Sequence, residues 1–182
     1  MELLINNELR NTQKNHVHVT KNTGNNEWYT PRGIVIAAKT AMGSIDCDPA
    51  SSAIANRVVQ ATRYFTKEQD GLTQQWHGNV WLNPPYAQPL IAQFAKEVVI
   101  KCWAGEFQQA CILVNNASET RWFQDLLCVA SGICLPRGRI RCVSPDGHKQ
   151  GAPLQGQAIL YIGDNLQRFA DAFANLGAIL SV

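Results

Sequence analysis

Asn83, Pro84, Pro85 and Tyr86 close the apolar run Val80, Trp81, Leu82, and they are the residues of this 182-residue chain whose types point most directly to chemistry. Two prolines and an asparagine also make an ordinary strand terminator, since proline lacks a donor, fixes φ and restrains the residue before it. The chemical reading is an exocyclic amino group on a planar ring. The lone pair of such an amine is delocalised into the ring, so it is a poor nucleophile. Two acceptors, the Asn83 side-chain oxygen and the Pro84 carbonyl, can each take one N–H and favour a pyramidal nitrogen whose lone pair faces an electrophile. The prolines stiffen the loop, so the acceptors need little reorganisation. Tyr86 offers a flat face for stacking the ring.

Such a loop needs a scaffold, and the apolar pattern supplies one. PRGIVIAAKTAMG has helical spacing closed by Gly43, and SIDCD reads as a short strand ending in acids. PASSAIANRVVQ reads as a turn into a helix, ATRYFT as a second extended piece, and GNVWLN as a strand stopped by proline. PLIAQFAKEVVIKCWAG is helical, QACILVNN a buried strand and SETRWFQDLLCVASG a helix. GICLPRGRIRCVS and GQAILYIG are expected to be two strands joined by SPDGHKQGAPLQ, and NLQRFADAFANLGAIL a closing amphipathic helix. Strands separated by helices imply an α/β fold with a mainly parallel sheet covered on both faces and a late antiparallel hairpin at one edge. Ligands collect at the carboxyl ends of the strands in such sheets, where both DCDPAS and NPPY fall.

Residues 1–26 are polar and rich in asparagine and are read as a flexible arm, and residues 27–182 as one domain. No internal repeat or linker interrupts that domain. The formal net charge of +2 permits nucleic-acid binding without requiring it, so a local basic patch would have to carry it. No apolar run approaches the roughly 18 to 20 residues of a membrane span, and the first residues have no apolar core resembling a signal peptide. Six cysteines form no CxxC and four histidines no HExxH, so the thiols are expected to be reduced and mostly buried, with no metal site. His16 and His18 in the polar arm are read as solvated.

The NPPY stretch resembles the (D/N/S)PP(Y/F/W) motif of amino-group methyltransferases. Enzymes acting on adenine N6, cytosine N4 or a protein glutamine amide share it. EWYTP at 27 to 31, DCDPASSAIAN at 46 to 56, RYFTKEQDGL at 63 to 72, Trp76, VWLNPPY at 80 to 86 and TRWF at 120 to 123 together resemble the phage-type DNA N-6-adenine methyltransferases. The resemblance runs from about Glu27 to Ile162. It implies a Rossmann-like methyltransferase fold, S-adenosylmethionine as methyl donor, DNA as partner, and a location in the cytoplasm of a host bacterial cell, away from membranes. The short stretch between Asp48 and Asn83 implies that some elements are shortened.

The resemblance also assigns residues. Asn83, Pro84, Pro85 and Tyr86 would be catalytic. Asp46, Asp48 and Pro49 fall where related enzymes carry the first cofactor motif, although Asp48 and Pro49 would serve equally as a helix cap and first turn. Asp70 is the candidate for the cofactor adenine or ribose, or an ordinary DG turn residue. Trp28, Tyr29 and Thr30 precede the cofactor strand, with Thr30 either on the cofactor carboxylate or capping the helix at Pro31. Arg137, Arg139 and Arg141, at spacing two on one face if RGRIR is a strand, join Lys149 as the candidate phosphate-contacting patch, with edge protection as the alternative. Thr120, with Ser118, Arg121 and Trp122, is the candidate neighbour of a flipped base, though Trp122 and Phe123 also suit helix packing. Cytosine N4 methylation, protein glutamine methylation and a catalytically inactive DNA-binding module stay as alternatives. The last is kept by SSAIA, which has no glycine where a close backbone approach to cofactor is usual.

Overall fold

The apolar runs that read as strands are continuous enough to be buried on both faces, and helices must therefore lie above and below them. A computed structural model describes residues 29–142 and 155–182. In chain order it contains α1 (Arg32–Met42), β1 (Cys47–Asp48), α2 (Ala53–Val59), β2 (Arg63–Tyr64), a 3-10 turn (Gly71–Thr73), β3 (Asn79–Leu82) and α3 (Leu90–Trp103). β4 (Gln109–Asn115), α4 (Arg121–Leu127), β5 (Gly132–Pro136), β6 (Gln157–Ile162), α5 (Leu166–Phe173) and β7 (Gly177–Ser181) follow. The described strands form one sheet in the order β2-β1-β3-β4-β6-β5-β7.

β2, β1, β3 and β4 are mutually parallel, while β6 runs antiparallel between β4 and β5. Alternate residues of the central strands feed two separate cores. Val80, Leu82, Ile112, Val114 and Leu160 meet Ile91, Phe94 and Val98 of α3 and Trp122, Phe123 and Leu126 of α4. Trp81, Cys111, Leu113, Ile159 and Tyr161 face the other way, onto α1, Val59 of α2, and Phe169 and Phe173 of α5. Burying such side chains contributes about 1.5–3 kcal/mol each, which makes the double-sided sheet the dominant source of stability. The expected mixed α/β architecture with helices on both faces is therefore present. So is the shortening, since β1 and β2 have two residues each.

The late antiparallel pair is present as β5 and β6, with β6 next to β4 and β7 added at the edge by pairing antiparallel with β5. Two expectations need correction. The closing helix stops at Phe173, and GAILS is β7. Gly177 permits this pairing: a side chain there would run into the Leu135 carbonyl oxygen on β5. RGRIR is not a strand either, since β5 ends at Pro136 and the Arg137 N–H donates to the Leu176 carbonyl at 3.0 Å, where the chain turns away. Trp28, Lys149, His16, His18, the arm at 1–26 and most of the 144–155 connection lie outside the described residues.

Of the cysteines, Cys47, Cys111 and Cys134 are buried, Cys102 and Cys142 half-buried and Cys128 exposed, all as free thiols. Among the described residues no helix is long and apolar enough to cross a membrane.

Candidate active site

Because β1, β3 and β4 are parallel, their carboxyl ends open on one edge of the sheet, and the residues that follow them are neighbours there. β3 delivers Asn83. Its side chain is held at both ends: Nδ2 donates to Thr30 Oγ1 at 3.2 Å, and Oδ1 accepts from the Tyr86 hydroxyl at 3.0 Å. The same phenol lies 3.4 Å from the Leu113 carbonyl oxygen on β4. Burial pushes the Tyr86 hydroxyl well above its ordinary pKa, so it remains a neutral donor. Pro84 is buried and Pro85 half-buried, which fixes the loop between these anchors.

Thr30 therefore does not cap α1. The helix begins after Pro31 without a side-chain cap, and the buried Thr30 hydroxyl turns to Asn83 instead. Tyr29, half-buried, immediately precedes it.

β1 delivers Asp48, which is only 2% exposed. Burial pushes its carboxyl up to about 7, tempered by the Ser51 hydroxyl and the Ala50 N–H. Asp48 Oδ1 accepts from the Ala50 N–H at 3.3 Å. Ser51 Oγ is buried beside this carboxyl, and apart from that contact it has no hydrogen-bond partner. The capping alternative for Asp48 fails, because α2 starts at Ala53 and its cap is Ser52, whose Oγ accepts from the Ala55 N–H at 3.1 Å. A buried carboxyl supported only by the Ala50 N–H and the Ser51 hydroxyl, with no capping duty and no cation beside it, is an arrangement that a cationic, donor-rich ligand would complete.

The DGL turn presses against this loop. A methyl group on Gly71 would run into the Pro49 carbonyl oxygen, and the Gly71 carbonyl accepts from Trp76 Nε1 at 2.8 Å. Asp70 has positive φ, and its carboxylate accepts from the Leu72 N–H at 3.2 Å. Asp70 thus serves the turn, while the adjoining Gly71 packs against Pro49. Gly71→Ala is expected to push the two loops apart, with a stability loss of about 1–3 kcal/mol as for other overpacked sites. A denaturant melt measures it, and an unchanged midpoint would show that the loops separate freely.

Asp46 is not brought to this edge. Its carboxylate accepts from the Asn79 N–H at 2.8 Å, at the amino end of β3, and a side chain on Gly78 would collide with it. The expectation that it contacts cofactor thus meets a carboxylate already committed at the opposite end of the sheet.

Tyr86 also lines a cavity of about 170 Å³, with Asn115, Thr120, Trp122 and Gln155 among others. Thr120 and Trp122 are therefore beside the NPPY loop. Asn115, Gln155 and Ser51 were not anticipated. Asn115 carried a signal, as the polar residue ending β4, while Ser51 was hidden within a run read for its missing glycines. Arg137, Arg139 and Arg141 are exposed after β5, which runs in the same direction as β4, so they emerge at the same sheet edge as Asn83.

The chain matches the family described as DNA N-6-adenine-methyltransferase (Dam) over residues 17–174. It is also 31% identical over 100 residues to the DNA N-6-adenine-methyltransferase of Escherichia phage T1. That alignment covers 54% of this chain and 39% of the phage protein.

Proposed function

The chain belongs to the DNA N-6-adenine-methyltransferase family, and from that premise we propose that it transfers a methyl group from S-adenosylmethionine to N6 of a flipped-out adenine in DNA. The observation that carries the proposal is the Asn83 amide, anchored by Thr30 and Tyr86 at the same sheet edge as the buried Asp48 carboxyl.

The residues fit the donor. No cation stands among the groups that act on the Asp48 carboxyl, and the ammonium end of a methionine moiety supplies one. When bound, S-adenosylmethionine contributes an electrophilic methyl group. Asn83 Oδ1 and the Pro84 carbonyl accept the two N–H bonds of the adenine amine and turn its lone pair outward. The Tyr86 hydroxyl yields Oδ1 to the incoming amine and keeps Leu113 as its acceptor, 3.4 Å away.

An amine paired within a duplex cannot reach this recessed edge, so the base must leave the stack. The cavity beside Tyr86, with Thr120 and Trp122, receives the flipped base or its neighbour. Transfer is direct, and the surplus proton leaves the nitrogen afterwards. A covalent thiol route is disfavoured: Cys142, which faces Tyr86 closely enough to influence it, has its thiol pushed up to about 11 by burial. Such a thiol is protonated at neutral pH and a weak nucleophile.

Supplying labelled S-adenosylmethionine with either unmethylated DNA or a protein mixture tests the substrate class. Label retained in DNA is expected, and label retained in protein alone would reject the proposal.

Arg137, Arg139 and Arg141 contact phosphate in this reading. Arg137→Ala combined with Arg141→Ala should weaken binding uniformly across sequences and lower the slope of log affinity against log salt by about one for each arginine. A salt titration by fluorescence anisotropy measures this, and an unchanged slope would remove the patch from the interface.

A further inference from the structure

A side-chain amide has two ends of nearly the same shape and opposite hydrogen-bonding character. Only the oxygen can accept an N–H from the substrate amine. An Asn83 side chain turned over would aim N–H donors at the amine and compete for the lone pair that must attack. The reaction therefore requires something that fixes which end faces the substrate.

Two hydroxyls touch the amide. Tyr86 is on Oδ1, the end the substrate needs, and must give it up, with the Leu113 carbonyl as its alternative acceptor. Thr30 is on Nδ2, the end the substrate does not use, at 3.2 Å. Its contact can persist through the reaction. Thr30 is 7% exposed, reaches Asn83 from a segment 53 residues earlier in the chain, and has no capping duty on α1.

We propose that Thr30 is a positioning residue: its hydroxyl accepts from Asn83 Nδ2 and thereby holds Oδ1 toward the amine to be methylated. This rests on the methyl-transfer reading above. It separates Thr30 from the cofactor-binding role, because a hydroxyl that held the cofactor carboxylate would govern affinity for the donor, whereas one that orients Asn83 governs the rate of transfer. Threonine, with its β-methyl in the buried segment, supplies this acceptor without introducing a charge.

The test compares wild type, Thr30→Val and Thr30→Ser on unmethylated duplex DNA, with kcat and KM from labelled S-adenosylmethionine and donor affinity from calorimetry. Valine keeps the shape and removes the hydroxyl. The expected result is a kcat lower by about ten- to a hundredfold in Thr30→Val, the scale of a misplaced reacting group, with donor affinity unchanged and most of the rate restored in Thr30→Ser. Donor affinity falling in step with the rate would overturn the proposal in favour of a carboxylate contact. An unchanged kcat in Thr30→Val, or no recovery in Thr30→Ser, would overturn it as well. If Thr30→Val does not fold, Thr30→Ala carries the same comparison. A wild-type chain that methylates no DNA would overturn the methyl-transfer reading and this proposal together, whereas active wild type with an unaffected variant overturns this proposal alone.

Discussion

Asn83→Ala is expected to lower methyl transfer about a hundred- to a thousandfold, the loss that follows removal of one preorganised polar group at a reacting centre. Affinity for S-adenosylmethionine should stay close to that of wild type. The division follows from geometry. Asn83 follows β3 and its amide is engaged by Thr30 and Tyr86, whereas the buried carboxyl proposed for the donor belongs to the adjacent β1 and reaches the Ala50 N–H and the Ser51 region. Without Asn83 Oδ1, one N–H of the amine has no partner, and the Tyr86 hydroxyl turns wholly to Leu113. The amine stays nearer planar and its lone pair remains in the ring. Single-turnover rates beside donor calorimetry check this. Equal losses in both would mean that Asn83 holds the donor rather than the acceptor.

Asp48→Asn is expected to make the ligand-free protein more stable at neutral pH while weakening donor binding. The Asp48 carboxyl rises from its ordinary 3.8 to about 7 in the fold, chiefly through burial. Folding therefore favours the protonated form. Its contribution is fully present below about 4 and is lost as the pH rises through about 7, because the unfolded chain is then ionised while the folded site resists ionisation. At about 1.4 kcal/mol per pH unit the cost at neutral pH is at most about 4 kcal/mol.

Asparagine is a neutral near-isostere and removes that cost, so the variant and wild type should match near pH 4 and diverge above it. Donor affinity has the opposite sign. An ammonium pairs with the ionised carboxylate, so wild-type affinity should rise with pH through about 7, and Asp48→Asn should lose both the affinity and the rise. Denaturant melts and calorimetry at pH 5 and 7.5 measure both effects. A variant less stable than wild type at pH 7.5 would contradict this account of Asp48.

The central sheet was legible because β3, β4 and β6 are apolar runs bounded by polar or proline residues, and such runs have few other ways to be buried. β7 was not, since LGAIL continues the helical spacing of α5 and only its antiparallel ladder with β5, from Gly177 opposite Pro136 to Ser181 opposite Gly132, makes a strand of it. RGRIR alternates as a strand would. Yet Ile140 is buried with its N–H donating to Gln157 Oε1 at 3.0 Å, so the alternation reflects one anchored residue between exposed arginines.

That Asn83 and Asp48 share one sheet edge was legible from local chemistry plus the rule that parallel strands open together at their carboxyl ends. Thr30 was placed near them by resemblance, but its partner is a nonlocal contact that no spacing reveals. Asp46 shows the limit of reading two acids as a pair: two positions along a strand separate a residue that ends it from one committed to its beginning.

The most direct measurement is the identity of the modified nucleoside. Purified protein, unmethylated DNA and labelled S-adenosylmethionine are incubated, and the digested nucleosides are resolved by mass. N6-methyladenine, formed by wild type and absent with Asn83→Ala, is the predicted result. N4-methylcytosine, or no modified base from duplex and single-stranded DNA alike, would contradict the account.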